Sequence, residues 1–210
     1  MSPDLVHIVD DDPAIGRALA LLARSAGLNA ISHISAEALL ASFDPDAAGC
    51  VVTDARMPGM SGLELQRALK RRGAGVPVIV ITGHGAVSMA VEALQGGALD
   101  FIEKPFDDQL FLASVRRALD RSQRSAEQRK ADAAVAGRAA LLSAREREVM
   151  DLIVAGRSSP AVAQQLGISV RTVETHRARV MDKMDARGLA DLVRLSIRLE
   201  RSAASEQALS

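Results

Sequence analysis

The chain has 210 residues and a mass of 22.2 kDa, too long for one minimal module and suited to two small domains. No apolar run approaches the roughly 18 to 20 residues of a membrane-spanning helix, and with four Phe, no Trp and no Tyr an aromatic platform for single-stranded bases is excluded. Its 26 basic and 26 acidic residues cancel, which taken whole argues against a nucleic-acid partner. The lone Cys50, among apolar neighbours, excludes an internal disulfide and a multi-cysteine metal site. Met1-Ser2-Pro3-Asp4 leads directly into an apolar run without a basic or cleavage-site segment, so no secretory signal and a cytoplasmic location are expected.

Short β-branched runs alternate with helical segments over the first 106 residues. Strands are predicted at Leu5–Val9, Asn29–Ile34, Gly49–Thr53, Val76–Ile81 and Leu99–Glu103. Val78-Ile79-Val80-Ile81 is apolar at consecutive positions, the pattern of a strand covered on both faces in a parallel sheet. The intervening segments are long enough for crossover helices, so the prediction is an α/β doubly wound five-stranded parallel sheet over residues 1–120. Pro13, Gly27, Ser35 and Gly62 punctuate the helices, and a fifth helix follows Pro105-Phe106-Asp107 through Leu119. Between 121 and 140 apolar periodicity stops, with Val135 the single sizeable apolar residue, and composition leaves open a helical continuation or a tether.

From Leu141 the pattern is all helical. Ser143-Ala144-Arg145-Glu146 is a capping box, Ser159-Pro160 opens a short helix, Gly167 makes a turn, Ser169 caps a helix through Met184, and a last helix starts at Leu189. Four helices with this tight turn fit a helix-turn-helix module over 141–203, with a disordered tail expected at 204–210. The charges divide with the domains: residues 1–120 hold 10 basic and 15 acidic residues, 121–140 hold 5 and 2, and 141–200 hold 10 and 8. Neutrality is therefore a cancellation between an acidic half and a basic half.

Asp10, Asp11 and Asp12 stand where the first strand stops, Asp54 where the third stops, Thr82 after the fourth and Lys104 after the fifth. Ligands of an open parallel sheet bind beyond the carboxyl ends of its strands, so these residues converge. Clustered carboxylates need a cation, and an all-oxygen set suits Mg²⁺. A carboxylate nucleophile, a hydroxyl and an ammonium around one crevice is what a phosphoryl-accepting aspartate requires. His84 is read as a loop residue shaping access to Asp54 rather than as an acid–base group, while His7 and His33 lie within strands.

Val9-Asp10-Asp11, Asp54 with Met57-Pro58-Gly59-Met60-Ser61-Gly62, Thr82 and Lys104-Pro105 resemble the receiver domain of two-component response regulators, a CheY-like fold, over residues 4–120. The resemblance implies that Asp54 is the phospho-acceptor and that Asp11, Asp54 and the Arg56 backbone carbonyl hold Mg²⁺ (or Mn²⁺) with Asp10 in support. It also implies that Thr82 and Lys104 meet the phosphoryl group, that Thr82 and Phe101 form a switch, and that Lys104-Pro105 is cis. Asp12 is given no role.

Leu142 to Val149, Ala163 to Gly167, Ser169 to His176 and Lys183-Met184 resemble the LuxR-type DNA-binding domain. The second helix of the pair would enter the major groove with Arg171, Thr172, Thr175, His176, Arg179 and Lys183 toward DNA. Ser158-Ser159-Pro160 stands where members often carry a basic residue. Together the two resemblances point to a response regulator of the FixJ/NarL class, closest to the FixJ subgroup. They imply a sensor histidine kinase, promoter DNA and RNA polymerase as partners, and a homodimer formed on phosphorylation through the fourth-helix to fifth-strand face and the last helix, with no membrane partner. The alternatives are a phosphorylation-independent DNA-binding regulator and a Mg²⁺-dependent phosphatase; no enzymatic turnover beyond self-phosphorylation and self-dephosphorylation is expected.

Overall fold

The computed structural model describes residues 4–45, 48–83 and 87–207. The chain forms two compact units that part between Glu127 and Gln128. In the first, β1 (Leu5–Val9), β2 (Asn29–His33), β3 (Gly49–Asp54), β4 (Val78–Thr82) and β5 (Asp100–Glu103) make one sheet in the order β2-β1-β3-β4-β5, every pair parallel. Between them run α1 (Pro13–Ser25), α2 (Ala36–Ser42), α3 (Gly62–Arg71) and α4 (Val87–Gly96). The observed strands are those predicted, shifted by a residue or two at their ends.

Both faces of the sheet are buried, which explains the unbroken apolar runs. Alternate residues divide between two cores: Val6, Ile8, Cys50, Val52, Ile79 and Ile81 pack with α1 and the start of the fifth helix, while Val9, Val51, Val78 and Val80 pack with α2, α3 and α4. Phe111, fully buried, fills the centre of the first core. Gly49 is required by contact: a Cβ there would lie 2.3 Å from the Leu5 carbonyl oxygen of the neighbouring strand. The Gly49 amide also donates to Ser122 Oγ at 3.0 Å in a buried bond. That bond ties β3 to the fifth helix beyond the range predicted for the receiver.

The fifth helix, α5, runs unbroken from Asp108 to Ala140, so the segment at 121–140 is helix throughout. Its last three turns belong to the second unit, where Val135 and Ala139 are 1% and 3% exposed in a core with α6 (Ala144–Val154), α7 (Ser159–Leu166), α8 (Val170–Met184) and α9 (Leu189–Gln207). Arg198 of α9 pairs with Asp132 of α5 at 2.9 Å. The compact unit from residue 128 therefore holds the end of α5 together with α6 to α9, one helix more than the four read from the sequence after 141. Ser158, not Ser159, occupies the cap position of α7, with Pro160 in the first turn and no side-chain capping bond. The last helix continues through 204–207, where a disordered tail was expected; residues 208–210 lie outside the described part. Among the described residues no helix is long and apolar enough to cross a membrane.

His7 and His33 form a pair within the β1–β2 edge. Their rings stack at 5.3 Å, His7 Nδ1 and His33 Nε2 are hydrogen bonded at 3.1 Å, and Phe43 meets His7 edge-on at 5.6 Å. Burial first, and the neighbouring His33 second, push the His7 pKa down to about 4, and burial lowers that of His33. The unfolded chain therefore binds protons here that the folded chain refuses. Stability from this pair is complete above about pH 6.5 and is lost as pH falls toward 4. We expect urea unfolding of the first unit to lose up to about 3 kcal/mol over that range, with His7→Leu flattening the dependence; equal acid sensitivity in the variant would contradict this account.

Candidate functional site

Five strand ends meet at one edge of the first unit. The Lys104 ammonium lies between two carboxylates, donating to Asp54 Oδ2 at 2.7 Å and to Asp10 Oδ2 at 3.1 Å. Asp10 is 4% exposed, and burial raises its pKa against the lowering effects of the Asp12 amide and Lys104. Burial alone would lower the pKa of Lys104, but hydrogen bonds to Asp54 and Asp10 outweigh it and hold the ammonium above its ordinary value. The cation thus stands between two carboxylates and offsets part of their mutual repulsion.

The backbone builds this arrangement. Lys104 N donates to the Thr82 carbonyl at 2.7 Å, which sets Lys104 beside the end of β4, and Lys104-Pro105 is cis. Thr82, 1% exposed, is the last residue of β4 and pairs in register with Glu103. The other Asp54 oxygen, Oδ1, accepts from the Arg56 amide at 2.9 Å, and Asp10 Oδ1 accepts from the Asp12 amide at 2.9 Å. Each aspartate thus has one oxygen fixed by a turn and one turned to Lys104. Gly62 opens α3 directly under Asp54; a Cβ would stand 2.1 Å from the Asp54 carbonyl oxygen, so only glycine fits. The cap of α3 is Ser61, in a full capping box with Glu64.

Asp11 is exposed at the rim. Asp12 caps α1, its carboxylate accepting from the Ala14 amide at 2.8 Å ahead of Pro13. Phe101 is half-buried against the α2, α3 and α4 core. Among the described residues no three His, Cys, Asp or Glu side chains are grouped to enclose a metal ion. His84 lies outside the described residues. One contributor that sequence spacing did not reveal is Glu37 of α2, which accepts from the Met60 amide at 3.0 Å and braces the loop carrying Arg56.

In the second unit α8 is capped by Ser169, whose hydroxyl accepts from the Thr172 amide at 3.1 Å and meets Thr172 Oγ1 at 2.8 Å. Arg171, Thr175 and Arg179, spaced by four, are exposed along one stripe. Thr172 and His176 flank it, half-buried, and His176 Nδ1 is a buried atom without a partner. Lys183 does not join them. Its ammonium donates to Glu146 Oε2 at 2.6 Å and to the Leu141 carbonyl at 3.0 Å. Glu146, 3% exposed, also completes the capping box of α6 with Ser143. The hydrogen bonds from Lys183 and the Ser143 amide draw its pKa down to about 2. Lys183 thereby ties α6 to α8.

A model of the response regulator receiver domain matches residues 6–116, more than half of the chain, and one of the bacterial regulatory proteins, luxR family, matches 140–196. The chain belongs to the response regulator family. This response regulator is 50% identical over 192 residues to the transcriptional regulatory protein FixJ of Azorhizobium caulinodans, covering 91% of each chain. It is 47% identical to FixJ of Rhizobium meliloti over 94% of this chain and 97% of that one. Among solved structures, the response regulator StyR superposes with a TM-score of 0.84 at 36% identity, over 94% of this chain and 100% of that one. The architecture of this response regulator, a receiver followed by a LuxR-type DNA-binding domain, is that of FixJ-like regulators of transcription.

The Glu146–Lys183 tie yields a specific expectation. Glu146→Ala should lower the thermal midpoint of the second unit by several degrees and leave Lys183 without its carboxylate partner. Because the Glu146 pKa is depressed, its contribution is complete above about pH 4.5 and disappears toward about pH 2. Calorimetry of wild type and variant at pH 7 and pH 3 checks this: their separation should narrow at the lower pH.

Proposed function

We propose that Asp54 accepts a phosphoryl group from a sensor histidine kinase, and that the change at Thr82 and Phe101 promotes dimerisation and sequence-specific binding of promoter DNA. The observation that carries this reading is the Lys104 ammonium held at once on Asp54 and Asp10 at the carboxyl edge of the sheet. An Asp54 carboxylate oxygen attacks phosphorus in line as the bond to the donor breaks, leaving an acyl phosphate. Lys104 then moves its charge to a phosphoryl oxygen, and the Thr82 hydroxyl follows the same group.

The donors at this edge are all hard oxygens: Asp11, Asp54 and the Arg56 carbonyl, with Asp10 behind them. They suit Mg²⁺ (or Mn²⁺) in kind, and such an ion would supply charge neutralisation for the transferring group. Binding and orientation remain the work of this chain: Arg56 N fixes one Asp54 oxygen, Lys104 directs the other, and Gly62 lets the backbone close beneath.

On α8 we assign the DNA contacts to Arg171, Thr175 and Arg179 along the exposed stripe, with Thr172 and His176 at its border. Two apolar faces support dimerisation. On α4, Val87, Val91 and Leu94 are exposed at helical spacing, and on α9, Leu189 and Ile197 flank the partly exposed Val193. A dimer of such units would read paired half-sites in the cytoplasm and meet RNA polymerase there.

With a small-molecule phosphodonor and Mg²⁺, the wild-type chain should gain one acid-labile phosphate that Asp54→Asn and excess chelator abolish; equal labelling of the Asn variant would refute the assignment. Arg171→Ala and Arg179→Ala should each weaken operator binding and flatten the slope of log K against log salt by about one if the contact is to phosphate. Lys183→Ala should instead lower the melting temperature and leave that slope in place.

A further inference from the structure

At the sheet edge opposite Asp54, the start of β4 and the carboxyl-terminal ends of α3 and α4 enclose a cavity of about 210 Å³. Gln66 of α3 lines it. The side chain is 5% exposed, and its Nε2 donates to the Ala93 carbonyl of α4 at 3.0 Å in a buried bond. Its Oε1 accepts no hydrogen bond among the described residues, which leaves an amide oxygen as the acceptor this residue offers to the cavity. Gly96 is the other half of this wall: a Cβ there would stand 3.0 Å from Gln66 Nε2.

Lys70 and Arg121 reach the same cavity from the exposed side, and neither has a carboxylate partner among the described residues. Two helix carboxyl ends would ordinarily favour a cation. Here, however, several of the last carbonyls already accept bonds: the Ala74 amide donates to Leu69 and the Gly73 amide to Lys70, each at 3.1 Å, and the Ala98 amide donates to Ala93 at 2.9 Å. The net preference is then set by the two side-chain cations. Leu69, Val76 and Leu99 supply apolar wall. A cavity of about 210 Å³ admits a compact organic acid.

We propose that this cavity binds a small organic acid that also carries a hydroxyl or amino donor. The carboxylate meets Lys70 and Arg121, the donor meets Gln66 Oε1, and the carbon skeleton lies on Leu69, Val76 and Leu99. Its occupant touches α3, β4 and α4 together, at the edge of the sheet away from the phospho-acceptor.

The test uses the full chain, ¹⁵N-labelled, titrated with 4-hydroxybenzoate as the probe, with benzoate lacking the donor and phenol lacking the acid. Saturable shifts are expected at the Gln66 side-chain amide and at the Gly96 and Gly97 amides, with benzoate and phenol each binding roughly threefold to tenfold more weakly. The double variant Lys70→Ala/Arg121→Ala should weaken the hydroxy acid and leave phenol unchanged. Gln66→Met should weaken the hydroxy acid and leave benzoate unchanged; the surface double variant carries the test if the buried change unfolds the chain. No saturable shift up to about 20 mM, affinity unaltered in the double variant, or shifts centred on Asp54 and Thr82 would each overturn the proposal.

Discussion

Two aspartates on neighbouring strands, Asp10 and Asp54, cannot share a shielded edge without a cation, and the Lys104 ammonium bonded to both is the constraint around which the first unit is arranged. It requires β1, β3 and β5 to end on the same side, which only a parallel sheet provides. It requires Lys104 to leave β5 at a fixed point, which its amide bond to the Thr82 carbonyl secures. It also requires the backbone beneath Asp54 to approach α3 more closely than any side chain permits, hence Gly62.

The second unit solves a related problem by similar means. There α8 is held at both ends: at its start by the Ser169 cap, and near its end by Lys183 on Glu146. One carboxylate serves both the α6 cap and the α6–α8 tie. The Lys183 charge near the end of α8 is thus engaged with Glu146, while Arg171 and Arg179 stand on the exposed stripe.

The sheet and the convergence of Asp10, Asp54, Thr82 and Lys104 at its carboxyl edge were legible because both rest on local signals: unbroken β-branched runs, and acids or a Lys-Pro pair at the ends of those runs. Caps at Ser35, Ser143 and Ser169 were legible for the same reason. Ser158-Ser159-Pro160 offers two hydroxyls and a proline tolerated at either early position, so the start of α7 was one residue off. Asp12-Pro13 did carry a capping signal, which the surrounding acid run concealed. The fate of Lys183 depends on Glu146, 37 residues away, and that of Glu37 on Met60, 23 residues away, so no spacing could reveal either. The continuation of α5 lacked an apolar stripe, although its Ala, Arg, Lys, Glu and Gln content favours helix without one.

That continuation changes where the DNA-binding half begins as a cohesive object. Val135 and Ala139 are core residues of the second unit, and Asp132 holds Arg198 of its last helix. A fragment starting at 141 would open an apolar trough in the remaining helices and orphan Arg198, while one starting near 128 would retain its own wall. The stretch whose single sizeable apolar residue is Val135 therefore packs with the helices that follow it, and substitutions at Val135 or Ala139 act on the core of the second unit.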